Sequence, residues 1–150
     1  MEIKRYTKDR ISDVLQFERD LRAEENFLGW EIDEKYIASV TASFEDPAFA
    51  NSLSLLAYMD GKVVGRIDSA KICSRFDGSV KAYLDWICVI KSYRHKGVAQ
   101  MLLKELRRQL KKSGVETLIA LTDSNEASQR FYRKVPNSEM KDTGIWIDII

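Results

Sequence analysis

Residues 93–106 read YRHKGVAQMLLKEL, and the reading of this stretch decides the fold. Arg94, His95 and Lys96 stand directly before Gly97, two small residues and an amphipathic run. Val98, Leu102, Leu106 and Leu110 recur in i+4 register, which predicts a helix that stops at Gly114 with Lys111 and Lys112 in its last turn. The start of a helix is already electropositive, so cations crowded there are locally unfavourable unless an anion sits on them. The preceding residues 80–90, VKAYLDWICVI, read as a long strand. A strand, a glycine turn and a helix start together leave free N–H groups that a phosphate can accept, and Arg94 adds a charge-assisted contact. Arg94-x-x-Gly97-x-Ala99 is not the Walker pattern, because no Gly-Lys-Ser/Thr follows. Nor is it the dinucleotide fingerprint, which needs three glycines. A solvated basic loop with a packing glycine explains the same residues, so this stretch alone leaves both readings open.

Outward from it, the chain falls into alternating elements. EIKRY (residues 2–6) reads as a short strand, and Ile11, Val14, Leu15 and Leu21 recur at helical spacing within residues 9–24. RAEENFLGW (residues 22–30) breaks that pattern as a loop. Asp33 is placed to cap a second helix with Tyr36, Ile37, Val40 and Phe44 on its inner face, ended by Pro47. Asp60-Gly61 between LSLLAYM and KVVGRIDSAKI is a hairpin signal, and SRFDGS is a second turn. VETLIAL (residues 115–121) reads as a buried strand. Asp123 with Glu126 forms a capping box for a last helix running to about Lys134, and Pro136 stops it. GIWIDII (residues 144–150) reads as a closing strand, with one more short strand near Ser138 to Lys141. The expected order is β-α-α-β-β-β-α-β-α-β, a mixed, mostly antiparallel α/β sheet of six or seven strands flanked by four helices.

Composition removes several function classes. A chain of 150 residues with 45% hydrophobic and 31% charged residues suits one domain, residues 1–150, with a real core. A net charge of +1 provides no global field for nucleic acid or a membrane surface, and no apolar run reaches membrane-spanning length. The N-terminal residues lack the apolar core of a signal peptide, so a cytoplasmic location with Cys73 and Cys88 reduced is expected. His95 is the only histidine, which excludes a multi-histidine metal site, and no metal is expected.

The second chemistry-bearing stretch is LTDSNEASQRFYRK, residues 121–134. It puts Asn125, Ser128 and Tyr132 on one helix face. A surface helix with Phe131 packed inward explains that pattern equally well. In this order and at this separation, however, the two stretches resemble the GNAT superfamily of acyl-CoA-dependent N-acyltransferases. Arg94-x-x-Gly97-x-Ala99 matches its Arg/Gln-x-x-Gly-x-Gly/Ala signature after a strand ending Ile87-Cys88-Val89, and Asn125, Ser128 and Tyr132 match its Asn…Ala…Tyr helix, with Ser128 for the usual alanine. The chain departs from the family where Pro136 and Asn137 replace the usual glycine and aromatic.

The resemblance implies a GNAT fold and acetyl-CoA as acyl donor. The pantetheine arm would lie along Ile87, Cys88 and Val89, and the pyrophosphate on Arg94, His95, Lys96, Gly97, Val98 and Ala99, with Asn125, Ser128 and Tyr132 completing the donor site. It implies direct attack by a primary amine, with Tyr132 protonating the departing thiolate and Asp85 assisting amine deprotonation, directly or through water. Asp85 reads equally well as a strand-surface acid paired with a base. Cys88 reads as core and His95 as part of the phosphate collar, so neither is assigned chemistry. For the acceptor the implied region carries Glu24, Glu25, Phe27 and Trp30, with Asp85 beside it, inside an acidic stretch that also holds Glu18, Asp20, Glu31, Asp33 and Glu34. Such a lining suits a small cationic amine, and a solvated acidic face explains the same residues. Protein lysines or N-termini as acceptors, and a non-catalytic CoA-binding sensor, are the alternatives. A monomer or a homodimer is expected, without nucleic acid or membrane partners.

Overall fold

The computed structural model describes residues 1–25, 29–122 and 124–149. They form two compact units, Met1–Ile119 and Ala120–Ile150. The first contains strand β1 (Glu2–Arg5), helices α1 (Ile11–Glu24) and α2 (Glu34–Ser43), strands β2 (Ser52–Met59), β3 (Lys62–Cys73) and β4 (Val80–Val89), and helix α3 (Val98–Lys112). Strand β5 (Thr117–Ala120) closes it, and the second unit carries helix α4 (Glu126–Arg133). The five strands form one sheet in the order β1-β2-β3-β4-β5, and the first four are antiparallel neighbours. Among the described residues, no helix is long and apolar enough to cross a membrane.

Local chemistry explains most boundaries. Asp33 accepts the Tyr36 N–H at 2.7 Å and starts α2. Asp60 and Gly61 both adopt positive φ, 53° and 77°, the conformation a tight two-residue hairpin needs. Helix α3 buries Val98, Leu102, Leu103, Leu106 and Leu110 on one face and ends before Gly114 at φ 80°.

Neighbouring β3 residues show the two faces of the sheet. A Cβ on Gly65 would stand 2.8 Å from Val98 Cγ1 and 3.1 Å from Leu102 Cδ1, so β3 has no side chain where α3 crosses it. Next to it, Arg66 points the other way, to Glu18 of α1. On that face Tyr6, Val14, Phe17, Leu21, Leu56, Val63, Cys88 and Ile90 form a core against which Val40 and Phe44 pack.

Three features depart from the expected pattern. Residues 138–149 form no strand, so the described residues carry five strands and not six or seven. Ile145, Trp146 and Ile147 are 82%, 76% and 71% exposed. Their β-branched and aromatic side chains supply propensity, but a strand exists only where a neighbour takes its N–H and C=O groups. Second, α4 is capped by Asn125, which accepts the Ser128 N–H at 2.8 Å; the Asp123 of the expected capping box lies outside the described residues. Third, β4 carries a bulge. Asp68 faces Trp86 and Ser69 faces Leu84, leaving Asp85 as the extra residue.

Candidate functional site

The loop between β4 and α3 is the most distinctive backbone in the first unit. Lys91–Tyr93 make one short 3-10 turn, and Arg94 then extends the chain at φ −67° and ψ 161°. His95 and Gly97 follow at φ 61° and 79°, two left-handed residues separated by Lys96. Such alternation turns successive N–H groups toward one side. The first backbone bond of α3 runs from Met101 N to Gly97 O at 3.0 Å. The amides of Val98, Ala99 and Gln100 precede that ladder and meet no acceptor among the described residues. A Cβ on Gly97 would meet nothing within 4 Å, so the space over the loop is open. Open space, unaccepted amides and the exposed His95 and Lys96 suit a phosphate group.

Arg94 is positioned differently from the expectation of a free phosphate ligand. Its Nε donates to Val89 O at 3.0 Å and its Nη1 to Glu25 Oε1 at 3.1 Å, and Nη2 pairs with Glu25 Oε2. Glu24, one residue earlier, accepts the Ser92 N–H at 2.8 Å and the Ser92 hydroxyl at 2.7 Å. These two bonds hold the Glu24 carboxyl below the usual carboxylate range, the hydroxyl contributing most. The two acids expected on the acceptor side are therefore both bonded to the loop between β4 and α3.

Ile87, Cys88 and Val89 lead β4 into this loop. Cys88 is 9% exposed, and burial pushes its thiol up to about 11, so it stays protonated and unreactive near neutrality. Asp85 is exposed at the bulge. Trp30 is 41% exposed, with its ring 6.3 Å from that of Tyr36 and 5.6 Å from the Arg22 guanidinium carbon. Phe27 lies outside the described residues.

In the second unit, Asn125 turns its side-chain oxygen to the cap of α4. Ser128 is the residue whose amide it caps, and Tyr132 lies one helical turn further along, its ring 5.2 Å from Phe131. Asn137, in place of the usual aromatic, takes φ 57° after Pro136. Ser138 Oγ then donates to Val135 O at 2.7 Å, closing the end of the helix. Asparagine tolerates that backbone well, so the substituted pair makes a turn of its own.

A polar network that the sequence reading did not anticipate lies under α1. Glu18 is 1% exposed. Its Oε1 accepts the Tyr36 hydroxyl at 2.6 Å and faces Arg66 Nη1 at 3.3 Å. Arg66 Nη2 donates to Asp68 Oδ1 at 3.0 Å, an atom that also accepts the Ser54 hydroxyl at 2.6 Å. Arg66 Nε and Asp68 Oδ2 lie 2.7 Å apart as an ion pair whose alignment falls short of a hydrogen bond. The guanidinium carbon also lies 4.9 Å from the Tyr6 ring and 5.7 Å from that of Trp86. Burial pushes the Tyr6 phenol up to about 12, and burial followed by the Glu18 bond raises that of Tyr36. The available signal was Arg66-x-Asp68 inside the strand-like run KVVGRIDSAKI, which puts both charges on one face.

Residues 2–135 match the acetyltransferase (GNAT) family. No curated protein matches the chain. Among solved structures, it is similar to an aminoglycoside acetyltransferase from an uncultured soil metagenomic sample in complex with sisomicin, at TM-score 0.82 and 16% identity over 99% of this chain and 96% of the other. AAC(6')-Iy, in complex with the bisubstrate analogue CoA-S-monomethyl-acetylneamine, is similar at TM-score 0.77 and 19% identity over 99% and 98%. A ribosomal-protein-alanine N-acetyltransferase from Brucella melitensis biovar Abortus 2308 is similar at TM-score 0.74 and 15% identity over 99% and 100%.

Proposed function

Because the chain belongs to the acetyltransferase (GNAT) family, we propose that it transfers an acetyl group from acetyl-CoA to a primary amine of a small cationic acceptor. The observation that carries this reading is the run of unaccepted amides at the start of α3, behind left-handed His95 and Gly97. Acetyl-CoA would supply an activated thioester; everything else falls to the chain. The amides of Val98 and Ala99 would bind the pyrophosphate, with Lys96 adding charge and His95 a ring N–H at the open rim. The half-buried Ile87 and the backbone through Val89 would align the pantetheine arm. We assign the whole chain, residues 1–150, to one such domain.

Two protons must move. An amine of lysine-like pKa is mostly charged at neutral pH, and freeing it costs about 4–5 kcal/mol. Asp85, exposed at the β4 bulge, would accept that proton through water. The Tyr132 phenol would donate to sulfur as the thiolate leaves. Trp30 and Tyr36 offer aromatic surface to a cationic acceptor. The aminoglycoside acetyltransferases among the structural neighbours support such an acceptor and make aminoglycosides the first amines to try.

Thiol release from acetyl-CoA, measured against a panel of aminoglycosides, polyamines and peptide N-termini beside a CoA-binding assay, tests the proposal. Turnover on a small polycationic amine is expected. Binding without turnover on any amine would make the chain a CoA sensor, and turnover on peptide N-termini alone would make it a protein acetyltransferase. Tyr132→Phe should lower kcat by about tenfold or more while CoA affinity holds; an unchanged kcat removes Tyr132 from the mechanism.

A further inference from the structure

The last turn of α1 is joined to the donor loop on both sides of Tyr93. Glu24 bonds Ser92 through its amide and its hydroxyl, at 2.8 and 2.7 Å. Glu25 takes both terminal nitrogens of Arg94, whose Nε is tied to Val89 O at 3.0 Å. Three elements therefore meet at Arg94: the end of β4, the end of α1 and the loop. Immediately after it come His95 and Gly97, whose left-handed backbone aims the unaccepted amides.

Coulomb's law argues against putting two carboxylates beside a phosphate site for their charge, since they repel the ligand. Their hydrogen-bond geometry explains their presence. Each acid holds a residue that fixes the path of the loop, and Glu25 cancels the charge of Arg94. Arg94 has five N–H donors, three of them engaged by Val89 and Glu25.

We propose that Glu24 and Glu25 are positioning residues for the donor, and that Arg94 acts on the donor mainly through the loop geometry Glu25 fixes, not as an independent phosphate ligand. This inference rests on the reading of the loop as the pyrophosphate site. It moves the two acids from the acceptor to the donor. It also predicts that donor affinity depends on carboxylates that simple electrostatics would remove to improve binding.

The test is a double-mutant cycle on CoA affinity, measured by calorimetry on the full chain, with acceptor KM and melting temperature recorded for each variant. Glu25→Ala should weaken CoA binding by about fivefold to tenfold. The double variant with Arg94→Ala should bind no more weakly than Arg94→Ala alone, because both changes break one unit. Glu24→Gln should weaken CoA binding less, with acceptor KM unchanged in every case. Glu25→Asp, which keeps the charge and shortens the reach, should recover only part of the affinity, whereas an effect of charge alone would be restored in full. Unchanged or tighter CoA binding in Glu25→Ala, additive losses in the double variant, or a rise confined to acceptor KM would each overturn the proposal. Should Glu25→Ala fail to fold, Glu25→Gln is read by the same criteria. Wild-type protein that binds no CoA would overturn the loop reading and the inference with it. Wild-type binding beside an indifferent Glu25→Ala would overturn the inference alone.

Discussion

Two sets of charges in the first unit use the same residue types and do different work. Under α1, Glu18, Asp68 and Arg66 are shut between helix and sheet, with Glu18 1% exposed. At the end of the same helix, Glu25 and Arg94 pair with side chains 27% and 37% exposed. In the first set each charge needs its partner in order to be buried at all. In the second, water would solvate either group alone, so the pair contributes geometry and little stability. Glu24 lies six positions after Glu18, yet over that distance α1 passes from holding the sheet together to holding a loop.

The sharpest way to break the comparison is Arg66→Met. It leaves Glu18 and Asp68 buried without their cation and should cost about 3–5 kcal/mol in a urea titration. A loss below about 1 kcal/mol would mean that water reaches the network. Thiol labelling reports the same event locally: Cys73 is exposed and should react at once, whereas the buried Cys88 should become fast only in the destabilised variant.

A middle-sized effect comes from alkali. Burial raises Cys88 to about 11 and Tyr6 to about 12, both above their unfolded values of about 8.5 and 10. A raised folded pKa gives stability that is complete below the unfolded value and lost as pH climbs toward the folded one. Melting temperature should therefore decline from about pH 8.5 upward, and Cys88→Ala should make that decline shallower. A melting temperature flat to pH 11 would contradict the burial of both groups.

The smallest effect completes the contrast. Glu25→Gln should change folding stability by only about 0–1 kcal/mol, as expected of a half-exposed pair. A loss as large as that of Arg66→Met would make Glu25 part of the architecture and erase the distinction drawn between the two ends of α1.

What the sequence revealed divides along a related line. Asp33 before α2, Asp60-Gly61 between β2 and β3, and the apolar stripe of α3 ending at Gly114 were all legible, because each signal and its structural effect lie within a few residues. The glycine turn at Gly97 that opens α3 was legible for the same reason. The partners of Glu24 and Glu25 were not: they lie 68 and 69 residues away, and a carboxylate in sequence looks the same whether it faces solvent, substrate or a loop amide. Arg66 and Glu18 are 48 residues apart and were missed on the same account. The bulge at Asp85 depends on how two strands register, which no single strand encodes. The tail at residues 144–149 was over-read, since propensity there was taken for pairing.

The backbone at His95 carries one more consequence. A histidine at φ 61° occupies a conformation that glycine or asparagine adopts more cheaply, by about 1 kcal/mol for glycine. Random change at this position therefore runs downhill toward those two residues. A lineage that had no use for the imidazole would drift to glycine or asparagine and become slightly more stable on the way. The residues accepted at position 95 across related genes thus form a natural mutagenesis experiment: retained histidine would report selection for the ring itself, and glycine selection for the turn alone.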